Sequence, residues 1–111
     1  MADPMEGAQS SRHITPQDRL LYQKEYMQGA DQFKRALDEY SQAPEVHKKE
    51  AFRQVMVNAL QIMNETARGL KSQSHLSLNK KIEQEFATYQ TSQDESDKSL
   101  LAQDLEKAKK L

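Results

Sequence analysis

Three histidines are the side chains of this chain best suited to hold a transition metal, since the sequence contains no cysteine. His13, His47 and His75 are far apart, and only His47 has a carboxylate, Glu50, within one helical turn. A metal site needs several such side chains arranged around one point. A single His–Glu pair on a helix is typical of ordinary surface charge. We therefore expect no metal site and no cofactor.

Carboxylates are clustered at residues 38–39, 83–85 and 94–97. General acid–base catalysis requires carboxyl groups held in a cleft, where burial and neighbouring charges shift their pKa values. These clusters fall instead on the polar faces of predicted helices or in a stretch without apolar residues. The chain has three glycines, too few for a phosphate-binding loop, and it contains no nucleophile motif. The sequence predicts a non-enzymatic protein with no catalytic residues and no small-molecule substrate.

Basic residues form two short groups, with Lys48, Lys49 and Arg53 in one and Lys80 and Lys81 in the other. They would form one patch if their two helices brought them together, so a nucleic-acid-associated helical protein is one alternative. Nucleic-acid binding usually shows a net basic domain or a basic stripe. The formal net charge here is −1, and acidic residues surround both groups. Nucleic acid is therefore the less favoured partner.

The composition allows only a thin hydrophobic core. A chain of 111 residues is long enough for one domain. Its mean hydropathy is −0.96, and the absence of cysteine excludes a disulfide or a thiolate zinc site as a brace. Small cores of this kind are often supported by association. We expect self-association or binding to another protein.

The N-terminal residues do not combine a basic segment with an apolar one, so they do not predict a secretory signal. No apolar run approaches the roughly 20 residues that a membrane span requires. We expect a soluble, cytoplasmic protein, with non-classical export left open.

Heptad-spaced apolar residues predict two long helices. The first covers residues 15–41 and begins with Thr15 as its N-cap. The second covers residues 44–70 and follows a short turn at Pro44. Because the connection is short and the helices are similar in length, an antiparallel hairpin is expected. Residues 1–14 are small and polar, which predicts a disordered arm.

A third helix is predicted over residues 76–89, followed by a stretch, residues 90–97, without any apolar side chain. Leu101, Leu105 and Ala108 then form a new apolar stripe, which is rotated by more than about 90° from the stripe of the third helix. Either the helix breaks within the polar stretch, or its last part points away and binds something else. The difference in register favours the second alternative.

Together these elements predict an all-α fold, in which an antiparallel helical hairpin and a third helix form a small three-helix bundle or coiled-coil-like assembly. The helical domain is expected to span residues 15–89, and residues 90–111 to form a polar break and a C-terminal amphipathic helix. In the second helix, Val55 and Ile62 widen the apolar arc to about 160°, which predicts contact with two neighbours. The expected core consists of Tyr22, Tyr26, Phe33, Leu37, Tyr40, Phe52, Val55, Met56, Ala59, Met63, Ile82, Phe86 and Tyr89.

Two apolar groups lie outside the hairpin seam and are predicted to bind a partner. Leu20 and Met27 are seven residues apart on the far side of the first helix, and Leu101, Leu105 and Ala108 form the C-terminal stripe. We therefore predict a protein–protein interaction module, such as an adaptor, assembly factor, small chaperone or structural subunit. Its partner is expected to be another protein or a second copy of the chain.

The chain is also short, free of cysteine, and rich in glutamine and serine. Helical hairpins with this composition resemble, in a general way, small components and chaperones of bacterial secretion or filament machines. The resemblance supplies a second alternative for the function, a component or chaperone of such a machine.

Overall fold

Four α-helices form the part of the chain that the structure, a computed structural model, describes, which is residues 14–111. They are α1 (Pro16–Gln42), α2 (Val46–Leu70), α3 (Gln73–Ser92) and α4 (Glu95–Lys109). The predicted all-α class is confirmed, but the described residues form four helices where three were expected in the bundle. Apart from residue 14, the predicted disordered arm lies outside the described residues.

The start of α1 follows from its cap. The Thr15 hydroxyl accepts a hydrogen bond from the backbone N–H of Asp18 at 3.0 Å, and Pro16 occupies the first helical position. The cap satisfies one of the backbone donors that a helix start leaves without a partner, and proline has no N–H to satisfy. These local preferences are visible in the sequence, so this helix begins within one residue of the expected position.

Helices α1 and α2 form the predicted antiparallel hairpin. Near the turn, the Lys49 ammonium donates to the Tyr40 carbonyl at 2.7 Å. At the open end, Gly69 faces the ring of Tyr22. Residue numbers therefore rise along α1 as they fall along α2. Gly69 lies inside α2 and makes room for the tyrosine ring.

Helix α3 is longer than predicted at both ends. It begins after Ser72, whose hydroxyl accepts from the backbone N–H of His75 at 3.4 Å. The residue that closes α2 is Lys71, at φ 54°, and the two capping residues connect α2 to α3 directly. The connection between α2 and α3 is therefore a tight turn at Lys71 and Ser72.

The break after α3 is confined to two residues. Gln93 adopts a left-handed conformation at φ 58°, and Asp94 precedes α4. Helix α4 then runs back along α1. Lys98, near the start of α4, lies 3.4 Å from Asp38 of α1. Of the two alternatives for the polar stretch, the helix break is correct, and the expectation that the last part points away is wrong.

The C-terminal stripe lies in the core of the bundle. Leu101, Leu105 and Ala108 are each 0% exposed and belong to the same apolar cluster as Phe33 and Phe86. The prediction that these three residues face a partner is therefore corrected. The physical reason is the reversal at the α3–α4 turn, which lays the stripe against α1 and α3 despite its different register.

Edge-to-face aromatic pairs join α1 to α3 across the bundle. The rings of Phe33 and Phe86 are 5.0 Å apart, and those of Tyr40 and Tyr89 are 5.9 Å apart. Most of the expected core is buried, but Tyr22, Phe52 and Val55 remain half-buried at its edge. The expected core residues that are buried are Tyr26, Phe33, Leu37, Tyr40, Met56, Ala59, Met63, Ile82, Phe86 and Tyr89.

Candidate interaction surface

A groove runs along the α1–α2 hairpin and is lined only by residues of these helices and their connection. Three depressions of about 260, 340 and 270 Å³ form it. The first shares Gln32 with the second and shares Glu39 and Phe52 with the third, so they follow one another along the hairpin. From Glu25 to Gln42 the groove follows α1 for about 26 Å. This outer groove is lined by Glu25, Gln28, Gly29, Asp31, Gln32, Arg35, Ala36, Glu39, Gln42, Ala43, Pro44, Lys48, Phe52, Val55, Ile62, Glu65 and Thr66.

The α2 wall of the outer groove is apolar and partly exposed. Phe52 and Val55 are half-buried, and Ile62 is 39% exposed. On the other edge of α2, Asn64 accepts a hydrogen bond from Asn79, so α3 lies there. Helix α2 thus has the two neighbours that its wide arc predicted, and its Phe52–Ile62 edge still extends beyond both. Within residues 14–111, no further element covers this edge.

The α1 wall of the outer groove is mostly polar, with two small residues, Gly29 and Ala36, next to α2. A Cβ atom at Gly29 would lie 3.0 Å from the Met63 side chain and 3.3 Å from the Ala59 carbonyl. Helices α1 and α2 therefore approach each other closely at Gly29. Ala36, one heptad further on, is 5% exposed and also lines the groove. These two small residues let the hairpin helices pack closely along the floor of the groove.

Acidic residues outnumber basic ones around the groove. Its charged lining residues are four carboxylates and two cations. Arg35 is paired with Asp31 at 2.9 Å. Glu25 and Glu65 stand on opposite walls of the same depression, and Glu39 lies nearer the turn. Within the described part of the chain, none of these three glutamates has a cationic group within 4.0 Å.

Leu20 and Met27, the other predicted partner-facing residues, are 66% and 44% exposed. They extend the α1 face that packs against α4, where Lys34 and Asp31 pair with α4 residues. Helix α4 ends at Lys109, which lines a small depression together with Met27. Leu20 and Met27 are exposed because α4 is shorter than α1 and ends before it would cover them. Their binding of a partner stays a prediction.

The two basic groups are not brought together. Helices α2 and α3 meet where Asn64 contacts Asn79. Lys80 follows Asn79 directly, whereas Lys48 lies sixteen residues before Asn64, about 24 Å along the axis of α2. Arg53 is also engaged, by the Glu50 carboxylate. The single basic patch that a nucleic-acid-binding surface would need is therefore not formed by these residues.

Two carboxyl groups meet between α3 and α4. Asp104 is 3% exposed, and one carboxyl oxygen of Glu85 and one of Asp104 are buried without a hydrogen-bond partner. Burial, followed by interaction with the Asp104 carboxyl group, raises the pKa of Glu85 to about 7. Burial opposes ionisation of Asp104, but its interactions with Glu85, Lys107 and Lys81 leave its pKa lowered. The pair can therefore share one proton near neutral pH.

A second buried polar contact joins α1 to α3. The rings of Tyr26 and His75 are 4.7 Å apart in an edge-to-face arrangement. Burial lowers the pKa of His75 and raises that of Tyr26 to about 12, so both side chains are kept neutral. The Ser72 hydroxyl holds the His75 ring at 2.8 Å. This arrangement orients the start of α3 against α1.

His47 is exposed and 3.1 Å from Glu45, while His13 lies outside the described residues. Across residues 14–111, no three His, Asp or Glu side chains are grouped so that they could hold a metal ion. None of the four described helices is both long and apolar enough to cross a membrane.

The described residues thus define an all-α bundle of four helices with an exposed apolar groove on its first hairpin. In comparisons with known proteins, no family model, no curated protein and no solved structure matches the chain. The geometry of the bundle is therefore the basis for assigning a function.

Sequence reasoning missed the outer groove, because it placed Phe52 and Val55 in the core. The wide apolar arc of α2 predicted its two neighbours, but it did not show that the edge formed by Phe52, Val55 and Ile62 stays partly exposed. Apolar periodicity identifies the residues that favour burial, but it does not identify the element that buries them.

Proposed function

We propose that this protein is a non-enzymatic protein–protein interaction module that binds an amphipathic helix of another protein in the outer groove. The proposal is carried by one observation, the partly exposed apolar edge of α2 formed by Phe52, Val55 and Ile62. These residues face a mainly polar wall of α1 across two adjoining depressions. A channel between two helices is a common seat for a third helix.

The dimensions of the channel support a helical ligand. Its length of about 26 Å corresponds to an α-helix of roughly 17 residues. Apolar residues spaced three, four and seven apart on such a helix would reach the channel floor on successive turns. Phe52 is the most suitable anchor, because aromatic residues near the centre of an interface tend to contribute much of the binding energy.

The experiment is a selection from a displayed library of 18-residue helical peptides. The library varies Leu, Ile, Met and Phe on one face and Lys, Glu and Gln on the flanks. Selected peptides are then measured by fluorescence anisotropy on three proteins, the wild type, Ile62→Asn and Val46→Asn. Val46 is a matched control, since it is on the same helix, 84% exposed and outside the outer groove.

We expect peptides with micromolar affinity whose binding falls at least about tenfold in Ile62→Asn and is unchanged in Val46→Asn. Circular dichroism of both variants checks that the helices are intact. If the selection yields no binder, or if both variants bind the peptides equally, the proposed function is wrong.

A further inference from the structure

Three glutamates on the rim of the outer groove indicate that its ligand is positively charged. Glu25 and Glu39 are on α1, and Glu65 is on α2. Glu39 and Glu65 are exposed, and Glu25 is half-buried. We infer that the helix bound in the outer groove carries lysine or arginine on both sides of its apolar face. This inference rests on the proposed function and specifies the chemistry of the partner.

The positions of the glutamates also specify where the cations are needed. Glu25 and Glu65 line one depression from opposite walls, so they would flank the bound helix at one end. Glu39 is fourteen residues after Glu25, about 21 Å along α1. A suitable ligand has one basic residue on each flank near one end, and a further one about fourteen residues away.

The pairing of carboxylates with lysines elsewhere in the protein supports a basic ligand for the outer groove. Where α1 packs on α4, each carboxylate at the contact is paired with a lysine. These carboxylates are Asp31 and Asp38 of α1 and Glu106 of α4. Within residues 14–111, the three rim glutamates have no such partner within 4.0 Å. A basic helix would supply the missing cations as its apolar face is buried, and complementary charges of this kind favour one class of partner over others.

A second copy of the chain is a poorer occupant. Two outer grooves placed face to face would bring together two surfaces that each carry four carboxylates and two cations. The chain's own C-terminal helix α4 is also unsuited, because its apolar residues Leu101 and Leu105 are fully buried in the bundle. The occupant is therefore assigned to a different protein.

The test uses two synthetic 18-residue peptides with an identical apolar face, taken from a selected binder. One carries lysine at the flanking positions and the other carries glutamate. Affinities for the full chain are measured by anisotropy at about 50 and about 500 mM salt, which correspond to strong and weak ionic interactions. The triple variant Glu25→Gln, Glu39→Gln, Glu65→Gln removes the rim charges. A control variant combines Glu83→Gln, Asp94→Asn and Glu95→Gln. It changes the net charge by the same amount as the rim variant, but on α3 and at the start of α4.

We expect the lysine peptide to bind at least about tenfold more tightly than the glutamate peptide at low salt, with the ratio shrinking at high salt. The rim variant should abolish most of this preference, and the control variant should retain it. Equal affinities, with Ile62→Asn still preventing binding, would overturn the inference and leave the proposed function intact. Failure of both peptides on the wild type would overturn both. A dimer seen by light scattering that Ile62→Asn dissociates would assign the groove to a second copy and overturn the inference.

Discussion

Glu85 on α3 and Asp104 on α4 place two carboxyl groups together between helices that are otherwise joined mainly by apolar contacts, and one oxygen of each is buried without a hydrogen-bond partner. Lys81 lies 3.5 Å from one oxygen of Asp104, and Lys107 lies 3.4 Å from the other. These cations favour ionisation of Asp104, while burial favours the protonated form of Glu85. The protonation state of one side chain therefore affects how α4 is held.

This pair predicts a dependence of stability on pH. The pKa of Glu85 is raised from 4.5 to about 7, so its contribution is present at low pH and is lost as the pH rises through about 7. Asp104 has a lowered pKa, so its contribution is lost only at more acidic pH. We expect the Tm to fall by several degrees between about pH 5 and about pH 8. Glu85→Gln should remove this slope, because the amide does not ionise.

The comparison needs a control on the same helix. Glu83→Gln changes an exposed carboxylate two residues away and should keep the wild-type slope. Differential scanning calorimetry at several pH values measures all three proteins. An identical slope in wild type and Glu85→Gln would show that the pair does not govern the transition.

Docking of α4 through its apolar stripe is tested by truncation of single side chains. Leu101→Ala and Leu105→Ala should each reduce the free energy of unfolding by about 2–5 kcal/mol, because both residues are fully buried. Leu100→Ala changes a neighbouring residue that is 51% exposed and should cost less than about 0.5 kcal/mol. Urea denaturation measures the differences. If the three variants are equally stable, α4 is not packed as described, and its stripe is available to a partner.

The hydroxyl of Tyr26 is buried without a hydrogen-bond partner, whereas that of Tyr40 accepts from Gln93 at 2.7 Å. Removing a buried group that lacks a partner relieves a desolvation cost, and removing a bonded one loses a contact. We expect Tyr26→Phe to raise the free energy of unfolding by about 1 kcal/mol and Tyr40→Phe to lower it by about 0.5–1 kcal/mol. Urea denaturation of the two variants checks the opposite signs, and a loss of stability in Tyr26→Phe would imply a partner for its hydroxyl.

Lys71 holds a left-handed backbone conformation at φ 54° while its N–H closes α2 on the carbonyls of Ala67 and Arg68. Glycine adopts this conformation without the steric cost that a side chain imposes. Lys71→Gly should therefore stabilise the protein by about 0.5–1 kcal/mol. Lys110→Gly serves as the control, since Lys110 has φ −102° and gains nothing. Thermal melts of both variants measure this effect. A higher Tm for Lys110→Gly than for Lys71→Gly would contradict the prediction.

The local sequence determined where the first helices begin and which of their faces are buried. Thr15 and Pro16 encode the start of α1, because a cap and a proline act through their immediate neighbours. The turn at Pro44 and the aromatic stripe through Phe33 likewise depend on residues close in sequence. For this reason the hairpin and most of its buried residues agree with the prediction.

The position of α4 and the opening of the outer groove were decided only by the tertiary structure. Gln93 is not a residue that marks a left-handed turn, yet its conformation reverses the chain and buries Leu101. Phe52 and Val55 have the apolar spacing of core residues, but the described helices cover them only in part. Periodicity records the preference of a side chain for burial, whereas burial itself depends on where distant helices are placed.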